Sequence, residues 1–585
     1  KPQWALLGAT FIAICSFLPL YLAPASVAEI VKPLFVVLAV SLGLSWILAL
    51  CQTTTFGNFI LKEAVPGGAM KDPYDTKLYH KFEKFLTLLI KRRFVTLTTV
   101  FVTLVLSLVI MAVMPQSFFP KMNKPYFRAD LVFPEGFSIH AVDQDVMKVE
   151  DYLKNHEKVK SYSVTLGGTP LRYYLASSSF GPKSNYANVM VETKDPEDAA
   201  EVEQQFYEHM TQNFPNIITR SALFALSPVP EAAIEIGFIG ENPDTLTALV
   251  ERAKKIARQC DMVTDIRSNW GDKVPVWKPM FSQQKGLRLG ITRQQVANSF
   301  RTATNGLPLG EYREGDVSLP ILLKDEDVEK MNLNDVKSVP VFSTKGNSVK
   351  VEQVIDNFAL GYDYNVVRRF NRERCMMMQC EPKRGANTMA AFKQVLTAVQ
   401  EQMQLPEGYK MKYFGEQETQ DVSNAALAKN IPLTFLLIYV VLLFLFPSNY
   451  RKPVLIMLML PLVFIGVVWG LLLFGKSLDF FAILGLLGLI GMNIKNAIVL
   501  VDEIGLQLKD GKGAVPAVVE ATKTRIVPVT MASGTTILGM LPLLGDAMFA
   551  GMAATIMGGL FVSTVLTIFV LPVTYCIFFK IRADR

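Results

Sequence analysis

The sequence predicts a polytopic α-helical membrane protein of about eight spanning helices with a large external α+β region. Hydrophobic residues make up 50% of the 585 residues, and charged residues only 19%. The apolar residues form runs long enough to cross a hydrocarbon core of roughly 30 Å. More than half of the chain, between the third and fourth runs, has mixed polarity. The runs are 5–21, 33–50, 95–114, 431–447, 453–474, 479–502, 526–544 and 549–578.

The cations of the short loops predict the orientation of these helices. Lysines and arginines follow every second run, whereas the opposite short loops hold little more than Lys32 and Lys476. We therefore expect both termini to be cytoplasmic and residues 115–430 to lie outside. The net charge of +7 is mostly a topology signal, and no basic stripe supports nucleic-acid binding. The amphipathic stretch 76–93 is expected to lie along the inner surface, in contact with membrane lipids.

The mixed-polarity region reads as repeated strand–helix–strand units. Such units are typical of split ferredoxin-like subdomains. We expect a first subdomain at 115–220, a second formed by 221–270 and 357–430, and a small α+β module inserted at 271–356.

An internal repeat predicts how the membrane part is divided. "ATFIAICSFLPL" in residues 1–62 matches "MASGTTILGMLPL" in residues 525–580, and each is followed by a short loop and a second apolar run. Paired helices in matching places are a mark of internally duplicated transporters. The expected parts are two helices closing a first repeat at 1–62, a cytoplasmic loop at 63–94, a helix at 95–114, five helices at 431–580 and a tail at 581–585.

The sixth apolar run contains a lysine where its charge is costly. In "GLIGMNIKNAIVLVDE", residues 488–503, Gly488, Gly491, Lys495 and Asp502 fall within about one helical face. Glycines there allow close approach of a neighbouring helix. An ionisable residue inside a membrane is by default a functional hypothesis with a partner to be named. Three alternatives remain open: a structural ion pair, a lysine that reaches the interface, and an ordinary cytoplasmic lysine if the span lies elsewhere.

Three motifs carry a resemblance to a known family. They are "GLIGMNIKNAIVLVDE", "RIVPVTMASGTTILGMLPLL" and, outside the membrane, "LGITRQQVANSFRTATNGLPLGEYREGDVSLPILLK". With the order of the elements, they resemble the carboxy-terminal half of resistance-nodulation-division (RND) efflux transporters, in the hydrophobic and amphiphilic efflux branch. The resemblance implies a secondary transporter rather than an enzyme, eight of twelve helices, and no cofactor other than the coupling proton.

The resemblance also implies partners and a location. It implies a homotrimer in the inner membrane of a Gram-negative cell, with the inserted module docking an outer-membrane channel. A periplasmic adaptor protein would wrap the trimer, and the substrates would be small amphiphilic compounds.

The resemblance further implies a proton-coupling site. Lys495 would pair with acids on a helix upstream of Lys1 and release them when they take up protons. The remaining coupling candidates are Asn496, Asp502, Thr530 and Ser533. The family usually has a threonine immediately before the position aligned with Ser533, whereas this sequence has Ala532.

Substrate would enter a cleft between the two external subdomains. The loop 167–186 stands where the family has a flexible loop, and its aromatic residues suit an apolar pocket. Polar groups on neighbouring strands complete the predicted cleft. The cleft candidates are Arg128, Asp130, Tyr173, Tyr174, Phe180, Arg267 and Asn269.

Two other readings stay open. "RCMMMQC", residues 374–380, has soft ligands that favour Cu(I), although strand alternation turns them to opposite faces, and a buried packing strand is preferred. We expect no metal site and no catalytic residue. The alternatives are an RND-type exporter of metal or lipid, and a non-transporting receptor or scaffold. No Walker-type phosphate loop supports an ATP-driven pump.

Overall fold

The computed structural model describes residues 2–22, 26–60, 74, 76–114, 123–171, 182–224, 231–325, 335–343, 346–447 and 449–581. The chain forms two compact units. One comprises Lys1–Asn269 with Arg369–Arg585, and the other is Trp270–Arg368.

The amino-terminal part is helical. Its helices are α1 (Pro2–Ser16), α2 (Leu18–Leu22), α3 (Ser26–Ile60), α4 (Lys77–Lys91) and α5 (Arg93–Val113). Helix α4 buries Phe82, Leu86 and Ile90, which lie four residues apart on one face and pack into the main helical core. Its lysines remain on the other face, as the amphipathic pattern of the sequence predicts.

A four-stranded antiparallel sheet follows. Its elements are β1 (Tyr126–Val132), α6 (Ile139–Lys154), β2 (Val159–Leu166), β3 (Tyr186–Thr193), α7 (Ala199–Asn213) and β4 (Ile218–Leu223). The strand order is β2-β3-β1-β4. Phe127 and Leu131 of β1 pack in one core with Val146 of α6 and Phe206 of α7. Because alternate strand residues point to opposite faces, the helices cover one face of the sheet, and the polar residues of β1 point to the other.

The remaining α+β elements are, in chain order, β5 (Ile234–Ile239), α8 (Pro243–Ala257), β6 (Val263–Ser268), β7 (Lys273–Phe281), α9 (Gln283–Leu289), α10 (Arg293–Thr302), β8 (Leu307–Glu314), β9 (Val317–Leu323), α11 (Asp335–Ser338), β10 (Pro340–Phe342), β11 (Ser348–Lys350), β12 (Ile355–Tyr364), β13 (Arg369–Phe370), β14 (Glu373–Pro382), α12 (Thr388–Gln402) and β15 (Lys410–Phe414). The second subdomain orders its main strands β6-β14-β5-β15, all antiparallel. It therefore repeats the strand–helix–strand order of the first subdomain.

The second compact unit is a small α+β module of hairpins and short helices. Strands β7 and β12 form one antiparallel pair, and β8 and β9 another. Its core contains Ile291, Val296, Val341 and Val351, all buried. A capping box joins Thr292 and Gln295 at the start of α10.

The carboxy-terminal part returns to helix. Its helices are α13 (Gly415–Leu445), α14 (Arg451–Leu458), α15 (Val463–Leu473), α16 (Phe480–Lys509), α17 (Ala514–Met540), α18 (Ala550–Val565) and α19 (Leu571–Phe578), with a π-helical turn at Leu566–Val570. Helices α15 and α18 approach closely at glycines. A Cβ added to Gly558 would lie 2.5 Å from Cα of Gly470 and 2.6 Å from the carbonyl oxygen of Gly466.

The bounds of the helices and subdomains differ from the predicted ones in three places. Seven helices of the described residues are long and apolar enough to span a membrane; the first predicted run, 5–21, falls on the shorter apolar segment Leu6–Leu22. Strand β4 extends the first subdomain to Leu223, because it pairs with β1. The inserted module extends to Arg368 rather than 356, because β12 pairs with β7.

Candidate functional site

Lys495 lies near the middle of α16. The helix starts at Asp479, whose side chain accepts a hydrogen bond from the Ala482 N–H at 2.7 Å. The neighbours Ile494 and Asn496 are buried, but the Lys495 side chain is exposed in this chain. It forms no ion pair with any carboxylate of the described residues. Among the described residues, Lys495 is therefore an exposed cation without an ion pair, on a helix most of whose other residues are buried.

The glycines on the same face contact the first helix of the chain. A Cβ on Gly491 would lie 2.8 Å from Cα of Ala13, and one on Gly488 would lie 2.9 Å from the Phe17 ring. Helix α1 thus occupies the space that the missing side chains leave. Lys495 follows about one turn further along α16, and its side chain is exposed.

A hydrogen-bonded chain of side chains starts beside Lys495. Asn496 donates to the Ser533 hydroxyl at 3.5 Å, and the Thr564 hydroxyl donates to Ser533 at 2.6 Å. All three side chains are buried, and they join α16, α17 and α18. Thr564 was not among the predicted residues. Its only sequence signal is the hydroxyl-bearing pair Ser563–Thr564 in the last apolar run.

Thr530 is separate from this chain of hydrogen bonds. Its hydroxyl donates to the carbonyls of Ile526 and Val527 in its own helix, at 2.6 and 3.1 Å, and its side chain is exposed. The structure therefore brings Asn496 and Ser533 together but leaves Thr530 outside.

Asp502 lies towards the carboxy-terminal end of α16, is half-buried, and is adjacent to a residue that forms an ion pair. The adjacent Glu503 is buried and accepts hydrogen bonds from Arg525 of α17 at 2.5 and 3.1 Å. Lys452 of α14 also reaches this end, since its Nζ lies 2.8 Å from where a Cβ on Gly505 would be. Glu503 and Arg525 were not among the predicted site residues, and Arg525 directly precedes the apolar run that begins at residue 526.

Among the described residues, the cleft candidates that lie on strands are Arg128 and Asp130 of β1 and Arg267 of β6. Asp130 of β1 is buried and accepts hydrogen bonds from the Tyr186 hydroxyl at 2.6 Å and from Asn188 at 2.8 Å. It lies opposite Arg220 of β4 in register. Arg128, two residues before Asp130, shares its face and is half-buried.

Arg267 is the centre of a buried charged cluster on the second sheet. Only 8% of it is exposed, and it pairs with Asp265 and, at 3.4 Å, with Glu381 of β14. Arg220 of the first subdomain reaches the same Asp265 at 3.9 Å. Burial raises the pKa of the Asp265 and Glu381 carboxyls. The structure thus brings Arg267 towards the Asp130 strand through Arg220, which the sequence analysis did not single out.

Asn269, directly after β6, is hydrogen-bonded to the backbone of β14. Its side-chain oxygen accepts a hydrogen bond from the Met377 N–H at 2.8 Å, and its own N–H donates to the Met377 carbonyl at 3.1 Å. These contacts occupy the side-chain acceptor within the second subdomain. The other predicted cleft residues, Tyr173, Tyr174 and Phe180, lie outside the described residues.

The methionine and cysteine strand packs into the protein interior. Cys375, Met376, Met378 and Cys380 are all buried. Burial raises the pKa of Cys380 to about 12, so its thiol stays protonated. A cysteine binds metal as a thiolate, so this burial disfavours Cys380 as a metal ligand. Among the described residues, no group of three or more His, Cys, Asp or Glu side chains is placed to hold a metal ion.

Glu235 gives this face of the sheet a pH dependence. It is buried, and burial raises its pKa to about 7 from 4.5. The folded protein therefore holds this proton more tightly than the unfolded chain, so stability falls as pH rises from about 4.5 to about 7.

We expect Glu235→Gln to flatten that slope. Its largest contribution is about 1.4 kcal/mol per pH unit. Thermal unfolding of the full-length protein in detergent across this pH range measures the difference, with the exposed Glu241→Gln as matched control. Equal slopes in wild type and Glu235→Gln would contradict the assignment.

Apolar helices of spanning length, together with two α+β subdomains of matching strand order, indicate a multi-pass membrane protein. The chain belongs to the AcrB/AcrD/AcrF family of RND efflux transporters, whose family model matches residues 2–579.

The names of similar proteins refer to several different functions. The chain is 22% identical to the swarming motility protein SwrC of Bacillus subtilis over 99% of its own length and 55% of the relative, and 23% identical to the multidrug export protein AcrF of Escherichia coli over 98% and 57%. It is 27% identical to the nickel and cobalt resistance protein CnrA of Cupriavidus metallidurans over 60% and 33%. The chain thus spans about half the length of the curated relatives that it matches along its whole length.

A solved structure has the same fold. The crystal structure of a heavy metal efflux pump matches with a TM-score of 0.78 at 17% identity, over 98% of this chain and 58% of that one. At this identity the match defines the fold and leaves the substrate open.

Proposed function

We propose that this chain is the second half of a proton-driven efflux transporter for hydrophobic or amphiphilic compounds. The observation that carries the proposal is Lys495, a charged side chain within a spanning helix that has no carboxylate partner among the described residues. Such a charge is costly in a membrane unless another group compensates it. We infer that carboxylates outside this sequence face Lys495.

The proposed switch follows from the charges. Ionised carboxylates attract the ammonium of Lys495 and hold their helix against α16. Protonation removes that attraction, and in surroundings of low dielectric the difference amounts to several kcal/mol. Helix packing therefore changes with each proton, as antiport of a proton and a substrate requires.

The hydrogen-bonded side chains beside Lys495 support a proton route. Asn496, Ser533 and Thr564 join three helices through buried polar groups. Ala532 carries no hydroxyl, and the neighbouring Ser533 would supply one to this route. Asp502 would mark the inner end of the route.

We expect Ser533→Ala to slow proton-coupled efflux about tenfold. The loss of one buried hydrogen bond costs about 1.4 kcal/mol, which corresponds to that factor. Thr535→Ala is the matched control, since the Thr535 hydroxyl is exposed and bonds to its own helix. Initial efflux rates at equal expression measure the effect. Equal rates for Ser533→Ala and Thr535→Ala would remove Ser533 from the route.

The α+β region would hold the substrate cleft. Both sheets have the strand order that split ferredoxin-like subdomains require, which supports that reading of the two subdomains. Arg128, Asp130 and Arg267 lie on strands of the two sheets, and Tyr173, Tyr174 and Phe180 would add apolar contacts. The family supports the proposed homotrimer with a periplasmic adaptor and outer-membrane channel, in a Gram-negative inner membrane.

A metal substrate is the second candidate. Two relatives carry nickel or cobalt resistance in their names, and the matching crystal structure is titled a heavy metal efflux pump. The buried thiols and thioethers of β14 favour a packing role over a metal site. Amphiphilic compounds therefore remain the preferred substrates.

The test uses the full-length pump in an efflux-deficient host. Cells loaded with an amphiphilic dye should expel it, and a protonophore should stop the efflux. A parallel assay loads the cells with Co²⁺. Export of Co²⁺ without dye efflux would favour the metal substrate, and a protein that moves neither would favour the receptor or scaffold alternative.

A further inference from the structure

Arg384 joins the two α+β subdomains. It lies after β14 of the second subdomain, yet its guanidinium donates to both carboxylate oxygens of Glu203 on α7 of the first, at 2.5 and 2.6 Å. It also donates to the Ser221 hydroxyl of β4 at 3.0 Å and lies 4.3 Å from the centroid of the Tyr207 ring. Two parallel hydrogen bonds between a guanidinium and a carboxylate form a strong and directional ion pair.

The two partners of this ion pair differ in burial. The Glu203 side chain is 9% exposed, whereas that of Arg384 is 36% exposed. Ser221 donates to Glu203 at 2.5 Å, so the carboxylate keeps a hydrogen bond within its own subdomain. When the subdomains separate, Arg384 enters water and Glu203 retains Ser221 while water replaces the guanidinium. Neither charge is then left buried without a partner, which is the usual cost of breaking such a pair.

A second ionic contact crosses the same boundary. Arg220 of β4 lies 3.9 Å from Asp265 of β6 and donates to the Glu231 carbonyl at 3.1 Å. Arg267 donates to the same carbonyl at 2.9 Å. The Nε atoms of Arg220 and Arg267 are buried and have no hydrogen-bond partner among the described residues. Unpaired donors are costly in the closed arrangement, so this contact favours closure less than the Arg384 pair does.

We propose that Arg384 is a positioning residue of the transport cycle, which closes the substrate cleft by clasping Glu203 and releases it when substrate enters. This inference rests on the proposed function, because it assigns the ion pair to the cleft that the transport cycle opens and closes. Arg384 acts through the closed position of the two subdomains and needs no contact with substrate.

The kinetic test uses Arg384→Ala in the full-length pump. Without the ion pair the open cleft is more populated, and apparent affinity rises with the fraction of competent protein. We expect the apparent KM for dye to fall about threefold or more and the maximal rate to fall as well. A variant that simply folded less well would lower the maximal rate at unchanged KM. Arg374→Ala is the matched control, because Arg374, on β14, donates to the Glu241 carbonyl of its own subdomain.

Charge exchange separates the ion pair from a general packing role. Arg384→Glu and Glu203→Arg should each reproduce the effect of Arg384→Ala. Combining them should restore both kinetic parameters towards wild type, because the pair re-forms with reversed charges. Defects that add in the double variant would overturn the proposal.

A structural measurement tests the closing role of the Arg384–Glu203 ion pair independently of transport. Hydrogen–deuterium exchange of the full-length protein in detergent should be about tenfold faster across Ile218–Leu223 and Val263–Ser268 in Arg384→Ala, since about 1.4 kcal/mol of closure is lost. If Arg384→Ala changes neither the hydrogen–deuterium exchange of these strands nor the apparent KM, the proposed role of Arg384 is overturned. A wild-type pump that does not couple proton movement to substrate export would overturn the proposed function. The hydrogen–deuterium exchange measurement would then still test whether the Arg384–Glu203 ion pair holds the two subdomains closed.

Discussion

Replacement of Lys495 by alanine is expected to reduce proton-coupled dye efflux about 100-fold, equivalent to about 2.7 kcal/mol. The variant removes the charged group that α16 supplies to the proposed switch. Any carboxylate facing position 495 would then lose its counter-charge, and in a membrane it would stay protonated through the cycle. Efflux rates at equal membrane expression measure the loss.

The same helix provides the control for this variant. Lys509 is the last residue of α16 and is exposed, so Lys509→Ala removes an equal charge where solvent compensates it. We expect Lys509→Ala to transport within about twofold of wild type, as surface charges contribute little. Equal losses in both variants would show that net charge, rather than the position of Lys495, matters.

Replacement of Gly558 by valine is expected to prevent correct packing of α15 against α18. The added Cβ would meet Cα of Gly470 at 2.5 Å and the Gly466 carbonyl at 2.6 Å. Both contacts are with backbone, which cannot rotate away as a side chain can. Overpacking in a dense interior costs about 1–3 kcal/mol or more, and we expect a large loss of folded protein.

Gly534 of α17 is the matched control. A Cβ at Gly534 meets no atom within 4 Å, so Gly534→Val adds the same side chain without a clash. Fluorescence-detected size-exclusion of both variants in detergent measures the folded fraction. A monodisperse Gly558→Val protein at wild-type yield would contradict the close helix contact.

Local patterns account for much of the fold. Apolar runs predicted most of the spanning helices, and the amphipathic pattern of residues 76–93 predicted a helix, which is α4. Boundaries shifted where pairing decides them. Strand β4 ends at Leu223 because β1 holds it, and no local signal in the sequence marks that end.

The functional contacts were harder to predict because they join distant parts of the chain. The glycine spacing before Lys495 predicted a close helix, and α1 fills that place. Thr564 and the Glu503–Arg525 ion pair depend on how α16, α17 and α18 pack. Arg384 and Glu203 are 181 residues apart in the sequence and belong to different subdomains. A sequence pattern carries no distance between such residues.

Proton movement during transport tests the central account most directly. The full-length pump, reconstituted in liposomes that contain a pH-sensitive dye, is given a substrate gradient, and the internal pH is followed. Wild type should move protons opposite to substrate, and Lys495→Ala should move neither. Normal proton counterflow in Lys495→Ala would contradict a charge switch at this lysine.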